Sequence, residues 1–76
     1  MTGRPVKHSV TLNGHRTSIS LEHAFWQEYR EIAARKCMTI NALTAEIDAT
    51  REAEVGLASA IRVYVLENHL TARGSD

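Results

Sequence analysis

The chain has 76 residues, which is one domain near the smallest size at which a single chain buries enough surface to be stable alone. Its hydrophobic fraction of 43% and charged fraction of 24% are ordinary for a globular protein and exclude wholesale disorder. The single cysteine, Cys37, excludes a fold held by internal disulfides and fits a reducing cytoplasm. No apolar run is long enough for a signal peptide or a membrane helix, so we expect neither export nor membrane insertion.

The net charge is zero, but the charges are unevenly placed along the chain. Residues 1–36 carry six basic and three acidic side chains, and residues 37–76 carry three basic and six acidic ones. No acidic residue precedes Glu22, and His8 and His15 add partial positive charge at mildly acidic pH. The N-terminal segment is therefore suited to a polyanionic partner, although a chance cluster of solvated charges gives the same pattern.

The first predicted element is a short strand over residues 9–12, where Val10 and Leu12 alternate with polar residues. Asn13-Gly14 follows, and this dipeptide between alternating segments is the strongest short-range signal for a hairpin. His15 and Arg16 make the expected loop longer than the ideal two residues. The second strand can therefore pair within the chain or with the strand of a second copy.

The second predicted strand ends at Leu21, where the polar and apolar alternation gives way to a helical pattern. Successive side chains of a strand point to opposite faces. One face of this strand therefore carries Thr17, Ile19 and Leu21, and the other carries Arg16, Ser18 and Ser20. The second face is small, polar and basic, while the first is suited to cover a core.

Three helices are predicted after the strands. Apolar residues at spacings of three and four predict the first helix over residues 23–36, with a buried stripe of Phe25, Trp26, Tyr29, Ile32 and Ala33. Thr39 is a good N-cap for a second helix that runs to about Arg51. Gly56 then precedes a third helix over about residues 57–70. We expect flexible tails at about residues 1–6 and 72–76.

The third helix is apolar over more than half of its circumference. A helix of this kind must be covered on two sides, and two other short helices are scarcely enough to do so. The pattern therefore favours a homodimer.

Catalytic and metal-binding motifs do not occur in the sequence. The four histidines, His8, His15, His23 and His69, lack the spacing of a metal site. Cys37 follows two basic residues that would favour its thiolate, but no base can be assigned to it. We interpret it as a small buried residue at a helix end. We therefore expect no enzyme activity, no catalytic or metal-binding residues and no cofactor.

The order of strand, helix, capped turn and helix resembles the ribbon-helix-helix DNA-binding family of the Arc and MetJ type. The resemblance runs from about Arg16 to Ile47. It rests on the alternating residues 16–21, on Ile32-Ala33-Ala34-Arg35 and on the turn over residues 36–42. The first strand and the third helix are additions to the usual pattern. The chain resembles a small bacterial subfamily that has an extra C-terminal helix and similar Thr-Ser-Ile-Ser-Leu-Glu and Ala-Ile-Arg-Val segments.

The resemblance implies a mainly α fold with a short N-terminal β ribbon, in an intertwined homodimer with an intersubunit antiparallel sheet. In such families two subunits pair their strands, and the resulting two-stranded antiparallel ribbon lies in the DNA major groove, so the implied base-reading residues are Arg16, Ser18 and Ser20. If the first strand enters the groove instead, the readers are Lys7, Ser9 and Thr11. The family also holds a phosphate at the start of its second helix. The implied phosphate contacts are Thr39, Ile40 and Asn41, with Lys7, Arg4 and Lys36 as further cationic contacts.

These observations predict a cytoplasmic bacterial homodimer that binds double-stranded DNA and is a sequence-specific transcriptional regulator, a repressor. We expect no association with a membrane. The alternative is an antitoxin-like or other protein-interaction module whose acidic C-terminal half binds a partner protein.

Overall fold

The computed structural model describes residues 3–74, with side chains described as far as residue 72. The elements follow in the order β1 (Val6–Leu12), β2 (His15–Leu21), α1 (His23–Arg35), α2 (Ile40–Thr50) and α3 (Leu57–Gly74). The two strands form one antiparallel sheet. The predicted fold class, mainly α with a short N-terminal β ribbon, is confirmed.

The strands are joined by a two-residue loop. Asn13 has φ 52° and Gly14 has φ 83°, the left-handed conformations that a tight hairpin of matching twist requires. The expectation of a longer loop was wrong because His15 and Arg16 belong to β2, where they pair with Leu12 and Thr11. β1 is also longer than predicted and begins at Val6.

Helix α1 ends in a Schellman motif, in which two orphan carbonyls are bonded by the next backbone N–H groups. The N–H of Cys37 donates to the carbonyl of Ala34 at 3.0 Å, and that of Met38 donates to the carbonyl of Ala33 at 2.9 Å. Cys37 occupies the left-handed position, with φ 58°, and its side chain is exposed. The expectation of a buried Cys37 was therefore wrong, because this backbone position directs the residue away from the core.

Helix α2 begins as predicted, with Thr39 as its N-cap. The Thr39 hydroxyl accepts a hydrogen bond from the N–H of Ala42 at 3.0 Å. One turn further on, the Thr44 hydroxyl donates to the carbonyl of Ile40 at 2.7 Å, so it receives the proton of the Tyr29 hydroxyl at 2.6 Å. This buried chain joins α1 to α2, and burial raises the pKa of Tyr29 to about 12.

Helix α3 is longer than predicted, and it runs to Gly74. Its start follows a loop held by Arg51, which donates to Asp48 at 2.7 Å and to the carbonyl of Val55 at 2.6 Å. The predicted tails were thus too long: Val6 is in a strand and residues 72–74 are helical. The outermost parts of those tails, residues 1, 2, 75 and 76, lie outside the described residues.

The core lies between the ribbon and the three helices. Each element contributes to it, with Val10, Ile19, Leu21, Tyr29, Ile32, Ala33, Leu43, Ile47, Ile61 and Val65 buried. Phe25 and Trp26 were predicted in the buried stripe of α1, but they are only partly buried and pack against this cluster. The opposite side of α3 leaves Val63, Leu66 and Leu70 about half exposed. Covering of α3 by a second copy stays a prediction.

Candidate nucleic-acid interface

The outer face of the ribbon consists of six exposed side chains, three from each strand. The register pairs Lys7 with Ser20, Ser9 with Ser18 and Thr11 with Arg16. Sequence reasoning treated the two triplets as alternatives, but the hairpin brings them together on one surface. Within residues 3–74, none of these six side chains makes a hydrogen bond or an ion pair. The face is therefore free to bind an external partner.

The inner face of the ribbon is packed against the helices. Val10, Ile19 and Leu21 are 2%, 3% and 0% exposed. Thr17 was predicted to share this buried face, but its side chain is exposed, although its cross-strand partner Val10 is buried. The alternation therefore buries Ile19 and Leu21 and leaves the side chains of the opposite face in solvent.

His8 joins the inner face of β1 to α1 by stacking. Its ring lies 3.8 Å from that of Trp26, with 7° between the planes. Burial lowers the pKa of His8 from its usual value, and the nearby His23 lowers it further. The neutral imidazole is therefore favoured in the folded chain.

Two hydrogen bonds show which residues point their backbone N–H and C=O groups outward along the two edges of the ribbon. The N–H of Thr11 points away from β2, because it donates to Oδ1 of Asn41 at 3.0 Å. In an antiparallel pair the groups of alternate residues point outward together. The outward residues are therefore Lys7, Ser9 and Thr11 on β1 and Arg16, Ser18 and Ser20 on β2. Consistent with this pattern, the carbonyl of Ser20 accepts a hydrogen bond from Arg62 at 3.3 Å.

The start of α2 lies beside the turn end of β1, and the Asn41 side chain holds it there. The Thr39 hydroxyl satisfies the N–H of Ala42, and the Thr39 carbonyl accepts from Leu43. In the described part of the chain, no hydrogen bond occupies the N–H groups of Ile40 and Asn41. Free N–H groups at the positive end of a helix dipole can bind an anion.

The cations predicted from the sequence are all exposed, but they lie on different parts of the fold. Arg4 is exposed before β1, Lys7 is exposed on β1, and Arg16 is exposed at the start of β2. Lys36 is exposed in the turn before α2, with its ammonium group 5.9 Å from the centre of the Tyr64 ring. The first carboxylate of the chain, Glu22, is bonded to Arg62. The outer face of the ribbon carries no acidic residue.

Two contacts that position the ribbon were missed at the level of the sequence. The Asn41 side chain bonds the edge of β1, and Arg62 binds the junction of β2 and α1. A signal for Arg62 was present, since it is the one charged residue in the apolar segment 60–66. The sequence carried no signal for the bond between Asn41 and Thr11, because residues thirty apart meet only in the fold.

Comparison with known families gives one match. A family model described as a ribbon-helix-helix domain matches residues 5–69, which include both strands and most of α3. Proteins of this family are in general DNA-binding transcription regulators, and they typically dimerise. Searches of curated proteins and of solved structures returned no match.

In residues 3–74, no helix is long and apolar enough to cross a bilayer. Across the same residues, no group of three potential metal ligands lies together.

Proposed function

Because the chain belongs to the ribbon-helix-helix family, we propose that it is a sequence-specific transcriptional regulator that represses by binding DNA. The observation that carries this proposal is the outer face of the ribbon. It presents Lys7, Arg16 and four hydroxyl side chains without internal partners, and no carboxylate. We place the protein in the bacterial cytoplasm as a homodimer that has no catalytic activity.

The homodimer forms by pairing β2 with β2 of the second copy. The Thr11 N–H has one proton, and Asn41 already accepts it, so this edge of β1 cannot extend the sheet there. The Ser20 carbonyl is bonded to Arg62 but has a second lone pair, and the outward groups of Arg16 and Ser18 have no partner among the described residues. The edge of β2 is therefore the one that can add a strand, and the dimeric ribbon has four strands.

The width of a four-stranded ribbon decides which residues read bases. Neighbouring strands lie about 4.8 Å apart, so the two outer strands are separated by about 14 Å, which exceeds the major-groove width of about 12 Å. The central β2 strands therefore enter the groove. Arg16 can make a bidentate bond to guanine O6 and N7, and the hydroxyls of Ser18 and Ser20 can donate or accept.

Phosphate groups are bound around this reading surface. The free N–H groups of Ile40 and Asn41, beside the Thr39 cap, bind one phosphate at the start of α2. Lys7 on the outer strand, Arg4 before it and Lys36 supply attraction that does not depend on sequence.

The test is selection of bound sequences from random DNA by the purified full chain, followed by mobility shifts on the selected site. We expect a pseudo-palindromic site, because a two-fold ribbon reads two half-sites. Mutation of one half-site should weaken binding more than mutation of the flanks. If the chain binds no DNA even at low salt, the proposal is wrong.

A second candidate function is a protein-interaction module, and the surface between α2 and α3 favours it. The groove there is lined by apolar residues and by two carboxylates, namely Ile47, Val55, Val63, Tyr64, Glu52 and Glu67. Recovery of a stoichiometric protein partner from the native host, with no DNA affinity in the isolated dimer, would support this function over DNA binding.

A further inference from the structure

Arg62 connects the third helix to the strand that we assign to base reading. Its Nε donates to Oε1 of Glu22 at 2.9 Å, and its Nη2 donates to Oε2 of the same carboxylate at 3.2 Å. The same Nη2 donates to the carbonyl of Ser20 at 3.3 Å. The guanidinium group also lies 5.9 Å from the centre of the Phe25 ring. One side chain thus contacts the end of β2, the start of α1 and the Phe25 ring in the first turn of α1.

The geometry of this contact is stronger than that of an ordinary surface ion pair. Two parallel N–H to oxygen bonds fix the guanidinium plane on the carboxylate, and both side chains are only about 30% exposed. Exposed single-point pairs, such as Arg35 with Glu31 at 3.7 Å, hold no such orientation. The hydrogen bond from Arg62 lowers the pKa of Glu22, so the carboxylate stays ionised in the folded chain.

Glu22 is the N-cap residue of α1, but its side chain makes no capping hydrogen bond. Its carboxylate instead binds Arg62, forty residues further along the chain. The junction between strand and helix is therefore held by α3 and not by a local cap. The backbone of Ser20, one of the six residues of the outer face, is fixed by the same guanidinium group.

We propose that Arg62 is a positioning residue for DNA recognition, which holds the helix end of β2 where its side chains can meet base edges. This inference rests on the proposed function and deepens it, because it assigns α3 a role in sequence discrimination. Hydrogen bonds to bases require side chains placed within a few tenths of an ångström. Phosphate contacts tolerate more freedom, because they depend mainly on charge.

The experiment compares Arg62→Ala with a matched control, Arg51→Ala. Arg51 is also about 30% exposed, binds a carboxylate through Nε at 2.7 Å and donates to a backbone carbonyl at 2.6 Å. It holds the loop before α3 and lies outside the proposed DNA surface. Both variants lose one positive charge and a similar set of bonds, so a purely structural role predicts similar effects.

The measured quantity is the ratio of affinity for the selected site to affinity for random duplex DNA, at a temperature where circular dichroism shows both variants folded. We expect this ratio to fall about tenfold in Arg62→Ala, the size of one lost base contact, and to stay within about twofold in Arg51→Ala. Arg62→Lys keeps the charge without the bidentate geometry. Its affinity for random DNA should therefore match that of the unaltered protein, while its ratio should lie between those of Arg62→Ala and the unaltered protein.

An unchanged ratio in folded Arg62→Ala, or equal losses in Arg62→Ala and Arg51→Ala, would overturn the inference. If Arg62→Ala does not fold, the same ratio in Glu22→Gln, which removes the bidentate partner at constant size, decides in its place. Failure of the proposed function gives a different result, since the unaltered protein would then show no preference for any sequence.

Discussion

The two faces of the β1–β2 ribbon are made of alternate residues of the same strands, but they differ in contacts, polarity and charge. On the inner face Val10, Ile19 and Leu21 are at most 3% exposed. On the outer face every side chain is exposed, and none has a hydrogen-bond or ion-pair partner among residues 3–74. The difference teaches that stability and recognition are carried by neighbouring residues. Substitutions one position apart should therefore affect different measurements.

The largest effect is expected on the inner face, from Leu21→Ala. Leu21 is fully buried in the core cluster, so its truncation leaves a cavity and should lower the free energy of unfolding by about 2 to 5 kcal/mol. Ser20→Ala, one residue earlier on the outer face, should change it by less than about 0.5 kcal/mol. Denaturant unfolding at one fixed protein concentration measures both. Equal losses in the two variants would show that the faces are not separated.

The next-largest effect is a pH dependence of the free energy of unfolding, which tests the burial of Tyr29 in the core. The pKa of Tyr29 is raised to about 12 from 10.0 by burial, so the folded chain keeps the phenol proton that the unfolded chain loses. The stabilisation is complete below pH 10 and is lost as the pH rises towards 12. The loss should reach about 2 to 3 kcal/mol. Urea unfolding from pH 9 to 12 follows it.

Tyr29→Phe is the control for this alkaline loss. It removes the titrating group and keeps the ring in the core. It also leaves the bond from Thr44 to Ile40 intact. The variant should be less stable at neutral pH by about 1 kcal/mol but should lack this part of the alkaline loss. The same pH profile in both proteins would assign the loss to other groups.

The outer face is tested by Arg16→Ala. Its guanidinium group has no internal partner to lose, so the free energy of unfolding should stay within about 0.5 kcal/mol. Loss of a bidentate base contact should cost about 1 to 3 kcal/mol of affinity for the selected site and relax the preference at one base step. Competition binding on single-base variants of the site measures this preference. Retained preference at every step would exclude Arg16 as a reader.

Most of the fold could be predicted from the sequence because its signals are local. Alternation predicted both strands, Asn13-Gly14 predicted the turn and Thr39 predicted the start of α2. Two of the errors concern the ends of helices. The exposure of Cys37 follows from the Schellman motif, and the extent of α3 beyond residue 70 has no stop signal before Gly74.

The candidate site was predicted only in part, for a physical reason. Side-chain parity along one strand placed Arg16, Ser18 and Ser20 on one face. The pairing register, which unites them with Lys7, Ser9 and Thr11, depends on how two strands meet. The contacts of Asn41 with Thr11 and of Arg62 with Glu22 join residues thirty and forty positions apart. No periodicity within a strand or helix encodes such contacts, so they could be seen only in the structure.

The smallest effect is expected from Lys7→Ala, which distinguishes the two strands of the same outer face. Lys7 lies opposite Ser20 on β1, the outer strand of the proposed four-stranded ribbon, which is too wide to enter the groove whole. Its ammonium group should therefore meet phosphate and not bases. The substitution should weaken binding to selected and random DNA by the same factor. The slope of log K against the logarithm of the salt concentration should become less steep by about one. A loss confined to the selected site would instead place β1 in the groove and make Lys7 a base reader.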